Sequence, residues 1–370
     1  MQEGKKRLQI LTWILAFSVL FYFVNRQYHF VHLSIEDGKI RFVFMEETID
    51  SMEELAKEVN ARLQDGEEEV NVVIKDITDE EIEEINSYLG GFWGDVVTYG
   101  VTSHKSTVKR NLQLELELSD NYYVYRNYVY GEPIPGNISG AEELVLKVRI
   151  ALAECLRPGM TDYEKELAIY EYILTHCTYG FLEENTDDSY NVYGALLKGK
   201  AVCNGYAQAF MLLCSCAGLE TQMIYGDAGG ESHAWNCVKL DGEWYMVDVT
   251  WDDPIPDVSG RKYYAYFNVT SDYLRVNHIW NEECFPECTA KKYNYFYYND
   301  LVCKDVSGLK GKIDTLLSEK KNIEMQFRIE NMGENISLQN IANQDNVREI
   351  AWQVEKAGPD GVIWVEIKGR

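Results

Sequence analysis

From His29 to Phe44, apolar and polar residues alternate on either side of Asp37-Gly38, which predicts a β-hairpin closed by a two-residue turn. Ser51 with Glu54 has the spacing of a capping box and opens a helix to about Leu63. A strand over Val70 to Ile74 follows. A second box, Thr78 with Glu81, opens a helix that Gly90 and Gly91 end. Leu112, Leu114, Leu116 and Leu118 then alternate with polar residues, and the tyrosine-rich stretch Tyr122 to Tyr130 reads as continuing in the extended state. Residues 29–130 therefore read as a small α/β domain. Its tyrosines are of a kind that grips sugar or peptide, although at strand spacing they more often serve packing.

Gly131 to Gly136, with Pro133 and Pro135 inside it, reads as a linker. Beyond it, Ser139 with Glu142 caps a helix to Leu156, broken by Arg157-Pro158-Gly159. Thr161 with Glu164 caps another, with Leu167, Tyr170, Ile173 and Leu174 on one face. Tyr206, Phe210, Leu213 and Ala217 recur at helical period and stop at Gly218. After about Asp300 the order is helix, strand (323–329), helix (337–356), strand (362–367), a second small α/β domain over 301–370.

One run has no periodicity because it has no polar face. Leu8 to Val24 carries no charge across 17 residues. As helix it would span ~26 Å against a hydrocarbon core of ~30 Å. Lys5, Lys6 and Arg7 precede it, so residues 1–28 read as a signal anchor, with the N-terminus cytoplasmic and the rest of the chain extracellular. A cleaved signal peptide is the alternative, but Phe21, Tyr22 and Phe23 sit where small residues should precede cleavage, and a buried core helix ranks third.

Composition narrows the functional classes. At 370 residues the chain exceeds a single core, and 46% hydrophobic residues with 26 tyrosines indicate packed rather than disordered material. A formal charge of −25 excludes nucleic acid as a partner. It suits cationic partners, the plainer account being a surface kept soluble by acidity. Nine cysteines leave an odd one after pairing, which suits a free reactive thiol. Cys284 and Cys288 are spaced for a local disulfide. Cys214 and Cys216 lie two apart on a helix and diverge, which argues against a zinc site with His233 and Cys237.

The candidate chemistry lies in the middle. Cys203 sits where a glycine- and lysine-rich loop enters a helix, so its sulfur meets the positive end of the helix dipole and unpaired backbone N–H groups. These favour thiolate and could hold a developing oxyanion. Asp241-Gly242 reads as the turn of a hairpin in which Trp235 opposes Asp248 and His233 opposes Thr250. His233 and Asp248 then become diagonal neighbours on one face, within reach of an imidazole–carboxylate hydrogen bond, while Ala234, Val238, Leu240, Val247 and Val249 turn to the core. A thiolate, a base and a carboxylate that fixes the base's tautomer are the parts of nucleophilic catalysis.

The segments GKAVCNGYAQAF, SHAWNCVKLDGEWYMVDVTWDDP and YFNVTSDYLRVNHIW resemble the transglutaminase-like core domain of bacterial surface and exported proteins, from about Ser139 to Tyr298. The resemblance implies a papain-related α+β fold over 139–298, in which a helix with an N-terminal cysteine packs against an antiparallel sheet. In it Cys203 is the nucleophile, His233 the general base and then acid, and Asp248 the orienting acid. Tyr193 falls at a recurrent family position and, with Asn204, Trp235 and Trp251, is a candidate lining residue; core packing is the equal alternative for the two tryptophans. His278 also falls at a family position and is read as structural. Papain-like peptidases often carry a glutamine about six residues before the nucleophile, where this chain has Leu197, so the second oxyanion donor is unassigned. Family members include protein cross-linkers, peptidases and amide hydrolases. The implied substrate is a peptide, a protein or a cell-wall peptide, and no metal or organic cofactor is implied. The alternative from another class is a non-catalytic surface scaffold that retains the fold.

Overall fold

The turn at Asp241-Gly242 sets the register of the central sheet. Both residues take positive φ, 51° and 86°, which suits a two-residue hairpin turn, and the ladder pairs Leu240 with Glu243 as that turn requires. In this computed structural model, the described residues are 32–36, 39–43, 48–64, 69–75, 78, 94–103, 109–184, 186–253, 261–320, 322–332, 341–342, 345, 347–357 and 360–369. The anchor predicted at 8–24 and the helix predicted after Thr78 lie outside them. No described helix is long and apolar enough to cross a membrane.

Contacts divide the chain into one unit comprising Met1–Leu89 with Asp95–Glu117 and another comprising Gly90–Gly94 with Leu118–Arg370. In the first, strands β1 (His32–Glu36) and β2 (Lys39–Val43) form the predicted hairpin, with Glu36 opposite Lys39. Strand β3 (Thr48–Ile49), helix α1 (Met52–Gln64) and strands β4 (Glu69–Lys75), β5 (Gly94–Ser103) and β6 (Lys109–Leu118) follow, the sheet running β3-β4-β6-β5. Ser51 Oγ accepts from the Glu54 N–H at 3.1 Å, while the Glu54 carboxylate accepts from Asp50 rather than from Ser51. Leu55, Val59 and Leu63 of α1 and Leu112, Leu114 and Leu116 of β6 are buried, as their spacing predicts.

The second unit begins earlier than the sequence suggests. Tyr122 to Tyr130 is not extended: it forms helix α2 (Asp120–Tyr130), closed by Gly131 in the left-handed region at φ 73°. Tyr122 and Val124 are buried, so the aromatic density that reads as strand serves helix packing. The 29–130 boundary therefore moves to 117. Helix α3 (Ala141–Cys155) starts after Gly140 with no side-chain cap, so Ser139 is not its cap. Helix α4 (Asp162–His176) has the full reciprocal Thr161–Glu164 capping box. Two short parallel strands, β7 (Thr178–Tyr179) and β8 (Lys200–Ala201), lead into helix α5 (Cys203–Cys216). Behind it lies an antiparallel sheet of β9 (Glu220–Ala228), β10 (Glu231–Leu240), β11 (Glu243–Val247) and β12 (His278–Trp280), in the order β11-β10-β9-β12.

The C-terminal segment holds strand β13 (Val302–Cys303), helix α6 (Val306–Glu319) and strands β14 (Asn322–Ile329), β15 (Val347–Ala357) and β16 (Asp360–Gly369). The helix predicted over 337–356 is, where described, the strand β15. Ile350, Trp352 and Val354 alternate at period two, and β15 pairs with β16 along its length. Nor does 301–370 form a unit of its own. The Gln326 amide donates to the Lys262 carbonyl, Arg261 lies 4.1 Å over the Trp364 ring, and Arg328 pairs with Asp360 at 2.6 Å while lying 4.1 Å over Tyr273.

One buried charge on α4 makes a testable demand on stability. Glu166 is fully buried; one carboxylate oxygen accepts from Asn268 Nδ2 at 2.8 Å and the other has no partner. Burial pushes its pKa up to about 8, against the smaller opposing effect of Asn268. A folded-state value above the unfolded one of ~4.3 means that the native state keeps a proton the unfolded chain has shed, so stability falls as pH rises from that value toward 8. Glu166→Gln, which mimics the protonated form, is expected to melt like wild type near pH 4 and several degrees higher at pH 8. A gap between the two melting temperatures that does not grow with pH contradicts this.

Candidate active site

Each member of the predicted triad comes from a different local structure. Cys203 is the first residue of α5, after Val202 in extended conformation. His233 lies on β10, opposite Gly226 of β9. Asp248 follows the last ladder pair, Asn236 with Val247, where the chain leaves β11 and is pinned by its own N–H donating to the Tyr266 carbonyl at 3.1 Å. His233 Nε2 and Asp248 Oδ2 are 2.7 Å apart, with His233 9% exposed and Asp248 fully buried. That contact leaves Nδ1 as the ring nitrogen available to the Cys203 thiol, whose pKa His233 lowers.

Asp248 has a second imidazole. His278 Nε2 lies 3.1 Å from Oδ2, and the Trp251 backbone N–H donates to Oδ1 at 3.1 Å. The other His278 nitrogen contacts Asn277 Oδ1 at 2.7 Å, and Asn277 Nδ2 donates to the Tyr266 hydroxyl at 3.1 Å. His278 therefore does more than fill space: it helps hold the carboxylate. Its contact was not legible in the sequence because β12 meets β9, thirty residues beyond Asp248, only in the folded sheet.

The electrostatics follow from these contacts. Burial alone would push the Asp248 pKa up, but the neighbouring His233 charge and the hydrogen bonds from both histidines hold it well below the usual carboxylate range. Burial would lower the His233 pKa, yet Asp248 and then Cys203 raise it to about 10. Burial would raise the Cys203 pKa too. The hydrogen bond and charge of His233, with backbone N–H groups of Ala234 and Asn204, outweigh it and leave the thiol below its ordinary value. Other cysteines go the opposite way: burial pushes Cys177, Cys216 and Cys288 to about 12 and Cys214 and Cys237 well above the usual range. No disulfide joins any of the nine cysteines, so the bridge that the Cys284–Cys288 spacing allows is not made. Both residues are buried packing groups, and the Cys288 thiol donates to the Pro286 carbonyl at 3.5 Å.

The candidate lining residues separate into two groups. Trp235 stacks on His233, with ring centroids 5.8 Å apart and planes 22° apart, and meets His278 edge-on at 5.0 Å. Trp251 lies 5.9 Å from His233 and 4.5 Å from His278. Both therefore pack around the imidazoles. Asn204 turns its backbone N–H to the thiol, while its side-chain oxygen is buried without a partner. Tyr193 goes elsewhere: its hydroxyl donates to Asp120 at 2.9 Å, and a Cβ on Gly140 would touch its ring. Gln208, which the sequence reading passed over, accepts from the Val192 N–H at 3.2 Å and from Asn121 at 3.1 Å, tying α2 and the loop before Cys203 to α5.

Just beneath the site, Asp252 accepts from the backbone of Ala265 and Tyr266 and from the Tyr170 hydroxyl, and Asp253 from the Tyr206 hydroxyl. These acids anchor the turn that carries Asp248. Among the described residues, the ligand-type atoms of His233, Asp248 and His278 all lie within 4.8 Å of one another, a spacing also open to three metal ligands. Their separations of 2.7 and 3.1 Å are hydrogen-bond lengths, so the set fits a carboxylate bridged by protons to two imidazoles.

The mixed α+β fold thus brings a helix-borne thiol toward a strand-borne imidazole that is paired with a buried carboxylate. Residues 150–249, which hold all three, match the model of the transglutaminase-like superfamily. The human kyphoscoliosis peptidase is 26% identical over 194 residues, covering 48% of this chain and 27% of that protein. The mouse kyphoscoliosis peptidase is 28% identical over 165 residues, covering 40% and 23%. The chain thus spans about a quarter of the length of these curated relatives. A crystal structure of a TGase aligns over 62% of this chain and 66% of its own at 14% identity and a TM-score of 0.28, a likeness too slight to bear on the argument.

Proposed function

We propose that this chain is a membrane-anchored extracellular thiol enzyme that hydrolyses or transfers acyl groups from peptide or glutamine amides. The observation that carries the reading is the 2.7 Å pair of His233 with the buried Asp248, together with a helix-start thiol that lies below its ordinary pKa and an imidazole above its own. The Cys203 thiolate attacks the amide carbonyl carbon, and the C–N bond breaks as the His233 imidazolium gives its proton to the leaving nitrogen. A thioester on Cys203 results. Water or an amine then attacks it, His233 takes the attacker's proton, and the thiolate leaves. Backbone N–H groups at the start of α5 are placed to hold the oxyanion of each step. Asp248 keeps the imidazole oriented and its charge balanced.

Support for the extracellular, anchored placement is the uncharged run 8–24 behind Lys5, Lys6 and Arg7. A scaffold would have no use for a partly exposed thiol with a lowered pKa among thiols pushed the other way. The acceptor is decided by incubating the full chain with a glutamine peptide and a fluorescent amine. A thioester on the Cys203 peptide in the mass spectrum is expected, followed by amine incorporation for transfer, or by ammonia or a cleaved chain for hydrolysis. An acyl group on another residue, or no covalent species and no product, contradicts the proposal.

A further inference from the structure

Three large side chains beside the thiol stand in the open: Tyr179, Phe181 and Tyr190, 42%, 51% and 46% exposed. Single exposed apolar residues are ordinary, but two exposed rings in contact, on a loop bonded to the residues that lead into a reactive thiol, are not. The backbone ties all three to the two residues before Cys203. Tyr179 sits opposite Ala201 in the β7–β8 pair, and the Gly180 N–H donates to the Ala201 carbonyl at 2.9 Å. The Val202 N–H donates to the Ser189 carbonyl at 2.8 Å, and Ser189 Oγ accepts from the Leu182 N–H at 2.7 Å. Gln208 of α5 reaches the Tyr190 carbonyl at 3.5 Å. Tyr179 is also near enough to feel the charge on Cys203.

The rings do not form a flat platform. Phe181 and Tyr190 have centroids 5.6 Å apart at 56°. A sugar ring is best received on one broad aromatic face, whereas rings at an angle make a notch for an alkyl or aromatic side chain. Two such exposed rings in contact, one of them a phenyl with no polar handle, gain by covering. Their nearest mobile apolar neighbour during turnover is the substrate held at Cys203.

We propose that Tyr179, Phe181 and Tyr190 form a specificity subsite that receives a large apolar side chain of a peptide substrate, next to the amide that Cys203 attacks. The subsite rests on the thiol-enzyme reading above and adds the class of substrate to it. Glu183, Glu184 and Asp187, exposed on the same loop, disfavour acidic residues at neighbouring substrate positions.

The test uses the full chain and peptidyl chloromethyl ketones that differ only in carrying leucine, serine or N-acetylglucosaminyl-serine at the positions flanking the electrophile. The rate of Cys203 modification is read by mass spectrometry, with iodoacetamide as a probe that makes no use of the subsite. Wild type is expected to react about tenfold faster with the leucine probe than with the serine probe. In Phe181→Ala/Tyr190→Ala that ratio falls toward one at an unchanged iodoacetamide rate, and Phe181→Ala alone gives an intermediate ratio. Equal leucine and serine rates in wild type, a ratio retained in the double variant, or a glycosylated probe that reacts fastest would each overturn the subsite. Failure of iodoacetamide to label Cys203 in wild type would instead overturn the thiol-enzyme reading, a result distinct from loss of side-chain preference.

Discussion

Asp248→Asn is expected to lower kcat/KM by about 10³–10⁴-fold in a protein that folds with reduced stability. The carboxylate accepts from three donors, His233 Nε2, His278 Nε2 and the Trp251 N–H, shared between its two oxygens. An amide of the same shape has one oxygen and one donor. If the oxygen faces the histidines, the NH₂ meets the Trp251 N–H; if it faces Trp251, the NH₂ meets two ring nitrogens. In the second case the amide donates to Nε2 and forces the proton onto Nδ1, the atom that must take a proton from Cys203. In either case the negative charge that balances the His233 imidazolium is gone. The loss should fall on kcat rather than KM, because no substrate contact is removed. Assay of purified Asp248→Asn on a peptide turned over by wild type checks this, and activity within tenfold of wild type would show that Asp248 does not orient the base. His278→Leu, which removes one donor and leaves the charge on Asp248, should cost much less than Asp248→Asn.

The site was legible in the sequence where local rules determine geometry. A glycine-ended helical period put Cys203 at a helix start, and a two-residue turn at Asp241-Gly242 fixed which residues oppose which, since one step of slip would have sent His233 to the other face. What local rules do not reach was missed. The Tyr122–Tyr130 run carries aromatic residues that favour a strand, but Gly131 behind it and burial of Tyr122 and Val124 in the second unit decide for helix. Only Ile350, Trp352 and Val354 alternate within a stretch that also reads as helix, and pairing with β16 settles it as strand. His278 on Asp248, Gln208 on the Val192 backbone and the aromatic notch all depend on segments that meet only through tertiary pairing. No spacing in the chain announces them.

The central claim is that His233 holds Cys203 as a thiolate nucleophile against the cost of burial. If so, removing the imidazole leaves burial unopposed and the thiol pKa moves from below its ordinary value of ~8.5 to above it. Below the thiol pKa, each unit of upward shift lowers the thiolate fraction about tenfold. The rate of Cys203 alkylation near neutral pH should fall accordingly, although the sulfur remains as accessible as before. The advantage of wild type should shrink as pH passes about 10, where His233 itself loses its proton. The measurement is the pH dependence of iodoacetamide alkylation at Cys203, followed by mass spectrometry in wild type and His233→Ala. An acid limb centred below pH 8.5 in wild type and displaced upward by at least one unit in the variant is predicted; superimposable profiles for the two proteins would contradict the account.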